Sequence, residues 1–104
     1  VAKYLEGARA YNKHLAKTNA TLSAALQRAK SQNDKKTLGL VKKEGARELK
    51  DLDSRIASRE KAIAQAGWPT KSDKAQYQAE LSQAKAEKAK LVKIMNQAQD
   101  TVIL

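Results

Sequence analysis

The sequence predicts an all-α fold, an antiparallel three-helix bundle or, in stricter form, a three-stranded antiparallel coiled coil. Three observations lead there. Apolar residues recur at alternating spacings of three and four along three stretches of about 30 residues each. Two polar or helix-breaking segments divide those stretches. Strand-like alternation of period two is absent from the sequence. A continuous first and second helix, making one long helical hairpin, is the alternative architecture.

The first helix is expected over residues 2–31. Its seam runs Val1, Tyr4, Ala8, Tyr11, Leu15, Thr18, Leu22, Ala25 and Ala29, with Leu5 and Leu26 widening the stripe toward what a bundle needs. Arg9, Lys13 and Lys17 fall on the far side of the wheel as an i, i+4, i+8 row. Glu6 is the single acid among residues 1–33 against six basic groups.

A turn is expected between Gln32 and Thr37, because Ser31-Gln32-Asn33-Asp34 is rich in turn and cap residues and Thr37 is a further N-cap candidate. The second helix then runs over 38–66 on the seam Leu38, Val41, Gly45, Leu49, Leu52, Ile56, Arg59, Ile63 and Ala66. Gly39 and Gly45 weaken its start by about 1 kcal/mol each relative to alanine. Gly45 lies on the seam and allows a close helix crossing. Arg47 with Asp51, and Asp51 with Arg55, are spaced to pair along the solvent face.

Ala66-Gly67-Trp68-Pro69-Thr70 holds the only proline and the only tryptophan, and it is where the chain must turn. Pro69 lacks an N–H and drives Trp68 out of helical geometry. Gly67 stands where a helix takes a left-handed closing residue. Thr70, with Asp73 three residues on, is a start signal. The third helix is expected over 71–102, with Tyr77, Leu81, Ala84, Lys88, Leu91, Met95, Ala98 and Val102 on its seam. Lys88 and Arg59 interrupt their seams, as long basic side chains can when their stems lie along apolar surface.

The 104 residues form one domain, 1–104. The apolar fraction is 41% and leans on alanine, with no Phe. Such a core is thin, so either the helices approach closely through alanine or a partner chain adds burial. The chain starts at Val1 and stops at Leu104 as though cut, in the manner of a processed product or a piece of something longer. With no cysteine, disulfides and thiolate metal sites are excluded, and the compartment stays undetermined. No apolar run reaches the roughly 18 residues of a membrane span.

Nothing in the sequence supports enzymatic chemistry or a cofactor. His14 is the lone imidazole and reads as a surface residue. Asn19-Ala20-Thr21 has the form of a glycosylation acceptor but lies inside a helix. The expected function is therefore a non-enzymatic interaction or structural module that docks other protein chains within a larger assembly, by self-association or with an acidic partner. Trp68 either closes the bundle end or anchors a partner. The net charge of +10 motivates the alternative, sequence-nonspecific contact of Arg9, Lys13 and Lys17 with nucleic-acid phosphates.

Overall fold

The computed structural model describes residues 3–65 and 67–104, so the seam positions Val1 and Ala66 lie outside the described residues. Three helices pack against one another in a three-helix bundle: α1 (Lys3–Ser31), α2 (Lys35–Ala64) and α3 (Lys71–Asp100). Side-chain contacts give their directions. Tyr11 meets Asp51 and His14 meets Glu48, so α2 runs antiparallel to α1. Asp53 meets Lys88 and Glu60 meets Lys85, so α3 runs antiparallel to α2 and parallel to α1. The bundle is a rod of 56 × 19 × 16 Å, with a radius of gyration of 16.4 Å, against about 13 Å for a compact domain of this length.

The break between α1 and α2 rules out a continuous helix. Asn33 takes a left-handed φ of 51°, which a short polar side chain tolerates better than most. The Asp34 N–H then reaches back to the Ala29 carbonyl at 2.9 Å, closing α1 in the glycine-type manner without a glycine. Asp34 also starts α2. Its carboxylate accepts from the Thr37 N–H at 3.1 Å and from the Thr37 hydroxyl at 2.6 Å. These bonds hold the Asp34 carboxyl below its ordinary range. Helix α2 thus begins at Lys35, three residues earlier than expected, and Thr37 sits in its first turn instead of capping it.

The other boundaries also move. Helix α2 ends at Ala64, and the extended Gln65 donates its N–H to the Ala62 carbonyl. Gly67 does have a positive φ of 101°, but it lies beyond the helix end and does not close it. Thr70 caps α3 as expected, accepting from the Asp73 N–H at 3.0 Å. Helix α3 stops at Asp100, where Thr101 turns to extended backbone; its N–H reaches the Ala98 carbonyl and its hydroxyl donates to the Gln97 carbonyl at 2.7 Å. Val102, placed on the seam by periodicity, is 79% exposed, and Ile103 turns onto the core instead.

The core is aliphatic. Leu15, Leu26, Leu52, Leu91 and Val41 are fully buried along the rod. Ala8, Ala29, Ala84 and Ala98 are also buried to 1% exposure or less, so alanine sets the close helix approach. Gly45 is buried under Met95, whose sulfur occupies the place a Cβ would take. Tyr4, Thr18, Ala25, Leu49 and Ile63 were expected at the seam centre but lie at its margins, Tyr4 the most exposed of them.

The seam has a polar component that periodicity of apolar residues does not reveal. Asn12 and Asn19 are buried on α1, in one row with Leu5 and Leu26. Asn12 Nδ2 donates to the Glu80 carbonyl at 2.9 Å and to its carboxylate at 3.0 Å. One heptad on, Asn19 Nδ2 donates to the Glu87 carbonyl at 3.0 Å and carboxylate at 2.8 Å. Glu87 is 3% exposed, and Lys90 Nζ approaches it at 3.3 Å from the rim.

Replacing Asn19 by alanine leaves Glu87 buried with its best donor gone. The expected loss is about 2–4 kcal/mol in a denaturant titration. The double variant Asn19→Leu/Glu87→Leu removes both partners and is expected within about 1 kcal/mol of the parent; equal losses in the two would contradict the pairing. Gly39→Ala, at a position with open space around it, is expected to raise stability by about 1 kcal/mol. Gly45→Ala is expected to fall short of that gain, because Met95 must leave its seat. Thermal midpoints of both variants decide this.

Candidate functional site

Three of the four aromatic residues meet at one end of the rod, where α2 ends and α3 begins. Pro69 and Gly67 fix the path that brings Trp68 back over the last turn of α2. The indole N–H donates to the Ala62 carbonyl at 3.2 Å, which satisfies a helix-end acceptor. The ring stands edge-on to Tyr4, with centroids 5.1 Å apart, and tilts against Tyr77 at 5.2 Å. Tyr4 and Tyr77 close the triangle at 5.6 Å. Leu5, Ala8 and Ile63 pack beneath. Trp68 is half-buried, and an open cleft of about 270 Å³ lies beside it, lined by Tyr4, Gln65, Gly67, Pro69 and Tyr77. Burial, then the nearby Asp73 charge, pushes the Tyr4 phenol up. Trp68 therefore closes the bundle end and also leaves a ring surface open. Tyr4 and Tyr77 were legible only as seam residues; their meeting with Trp68 depends on the turn.

The row Arg9, Lys13 and Lys17 is divided by the structure. Arg9 leans to α3, donating from Nη2 to the Gln76 side-chain carbonyl at 2.9 Å and lying 3.9 Å from Glu80. Lys13 and Lys17 remain exposed, and among the described residues neither has a carboxylate within 4.0 Å.

A second polar cluster lies between α1 and α2. Tyr11 is 8% exposed, and its hydroxyl donates to Asp51 at 3.2 Å. The Arg55 guanidinium stacks 4.2 Å above the ring and Arg59 sits at 5.3 Å, which accounts for Arg59 on the seam. Arg55 also holds Asp51 at 3.0 Å, which keeps the Asp51 carboxyl below its ordinary range. Arg47 consequently pairs back to Glu44 at 2.6 Å and not to Asp51 as its spacing suggested. His14 is half exposed, 3.6 Å from Glu48. Burial and the Asp51 charge push Tyr11 up to about 12, so at neutral pH it is a fixed donor and not a base or nucleophile.

Asn19, the glycosylation-type asparagine, is 5% exposed and bonded to Glu87, which closes it to modification in the folded bundle. Among the described residues, no group of three His, Cys, Asp or Glu is placed to hold a metal ion. Among the described residues, no helix is long and apolar enough to cross a membrane.

The raised Tyr11 value has a definite sign. The folded protein keeps the phenol proton after the unfolded chain, titrating near 10.0, has lost it. Tyr11 thus contributes stability that is complete below pH 10 and drains away toward pH 12. Thermal midpoints between pH 8 and pH 11.5 are expected to fall more steeply in the parent than in Tyr11→Phe; superimposable slopes would contradict the assignment.

Comparison of the chain with protein-family models, with curated proteins and with solved structures finds no match.

Proposed function

We propose that the chain is a non-enzymatic helical interaction module that docks other protein chains within a larger assembly, and that the aromatic end around Trp68 is its contact point. One observation carries this reading: aromatic residues are scarce in the chain, yet Tyr4, Trp68 and Tyr77 gather at one tip with an open cleft beside them. Trp and Tyr are enriched in the central anchors of protein interfaces because they bury large area at small entropic cost. The rod shape supports the same reading, since it holds that tip away from the opposite end by tens of ångströms. The alternative, nucleic-acid contact through Arg9, Lys13 and Lys17, is weakened on this face by the engagement of Arg9 with Gln76 and Glu80.

The test is quantitative cross-linking capture with the immobilised chain, in parallel with sedimentation equilibrium for self-association. Trp68→Ala is expected to weaken the captured or self-associated species by about 30-fold or more, the size of a hot-spot loss. Trp68→Phe keeps the ring, separates lost contact from lost helix-end closure, and is expected to retain most binding. Circular dichroism establishes that each variant is folded. A folded Trp68→Ala chain with the same partners at the same strength would remove the reading.

A further inference from the structure

Most acidic groups of the bundle are turned inward or onto neighbours. Glu80 and Glu87 receive Asn12 and Asn19, and Asp51 receives Tyr11 and Arg55. Asp53 and Glu60 meet lysines of α3, while Glu44 and Glu48 meet Arg47 and His14. Besides the Lys13–Lys17 pair on α1, one helix face carries a longer run of lysines without carboxylate partners. Along the outer side of the first half of α2, Lys36, Lys43 and Lys50 follow one another at heptad spacing, so they share a face. All three are exposed, and Lys35 and Lys42 flank them. Among the described residues, none of these five lysines has a carboxylate within 4.0 Å.

The fold does not use these charges, and two of them oppose it. Lys35 and Lys36 stand in the first turn of α2, where the positive end of the helix dipole disfavours cations, and that turn holds no acid. Both also adjoin the turn that already carries Arg28 and Lys30. A solvated surface mixes the signs of its charges, as the second half of α2 does with Asp51, Asp53, Arg55, Arg59 and Glu60. In the first half Glu44 and Glu48 are held by Arg47 and His14, and the five lysines have no acid of their own.

We infer that this lysine crest of α2 binds the phosphate backbone of double-helical nucleic acid without reading its sequence. The chemistry favours phosphate over a protein partner. Lysine is depleted in protein interfaces, which rely on aromatic or apolar anchors, and the positions between the crest lysines are Gly39, Leu40, Ala46 and Arg47, with Leu40 the single large apolar side chain and no aromatic among them. Lysines acting as point charges are what backbone contact requires. From Lys36 to Lys50 the crest runs about 21 Å at 1.5 Å per residue, about six phosphate steps of one strand. The crest lies toward the rod end opposite Trp68, so this activity is independent of the aromatic contact.

Fluorescence anisotropy with two 20-bp duplexes of unrelated sequence, titrated with the full chain from 50 to 200 mM salt, tests the proposal. Both duplexes are expected to bind alike, with a log–log salt slope of about −4.5 for five contacts, or roughly a 500-fold loss over that range. The Lys36→Glu/Lys43→Glu/Lys50→Glu variant is expected to bind at least tenfold more weakly at 50 mM, with a slope nearer −2. The Lys→Gln triple, which removes charge without reversing it, gives the same direction if the Glu variant loses helix content. Lys13→Glu/Lys17→Glu and Trp68→Ala are expected to bind as the parent does. Absence of binding at 50 mM overturns the inference, as does equal weakening by the Lys13/Lys17 variant. Tighter capture of poly-glutamate than of duplex by the same three lysines also overturns it, in favour of an acidic protein partner.

Discussion

The parallel pairing of α1 with α3 depends on two Asn–Glu pairs, one fully buried and one at the seam margin, more than on any single apolar contact. These helices are joined only through α2, so loop length constrains their register indirectly. Aliphatic stripes alone tolerate a slide of one heptad, about 10.5 Å. The polar row does not. In the observed register Asn12 faces Glu80 and Asn19 faces Glu87. A slide in one direction brings Glu87 against Leu26; a slide in the other brings Glu80 against Leu5 and Asn19 against Ile94, all three of which are buried. Each alternative separates a polar side chain from its partner across the interface and sets it against leucine or isoleucine. The arrangement resembles the use of a buried asparagine in coiled coils, where a loss in stability is accepted for a defined alignment.

With that alignment in place, the two ends of the rod acquire different chemistry. At one end Trp68 folds over the last turn of α2 and meets Tyr4 and Tyr77, an apolar and aromatic tip. Toward the other end, α2 begins with lysines on its outer side, next to a turn whose single carboxylate, Asp34, is committed to Thr37. Between the ends, the surface charges are largely answered by neighbours across the grooves, as with Lys88 and Asp53 at 2.6 Å. Such exposed pairs add little stability, but they tie most of the acidic groups of α2 to neighbouring side chains.

The candidate surfaces were only partly legible in advance. Trp68 stood out because it is unique and adjoins the one proline. Its neighbours did not, since Tyr4 and Tyr77 are 73 positions apart and meet only because α1 and α3 begin at the same end. The row Arg9, Lys13 and Lys17 is correctly spaced on the wheel, yet a helical wheel cannot show that Gln76 and Glu80 stand within reach of Arg9. Conversely the α2 lysines were hidden in a segment whose total charge is moderate, because its acids are turned toward α1 and α3. The Asn–Glu pairs left a trace that apolar counting passes over: two asparagines seven apart in a row otherwise leucine, and two glutamates seven apart on the third helix.

What the sequence by itself determined is the number of helices, their approximate lengths and most of their buried faces, since these follow from apolar periodicity and from local chemistry at Pro69, Thr70 and the Asn33-Asp34 turn. Those are short-range effects, readable from neighbours a few residues apart. The tertiary structure alone decided the register of α1 against α3, the capture of Arg9 and the stacking of Arg55 on Tyr11. Each of these depends on which side chain arrives opposite another across a helix interface, or on which of several available acceptors a hydroxyl or guanidinium reaches first. Sequence spacing within a single helix does not contain that information.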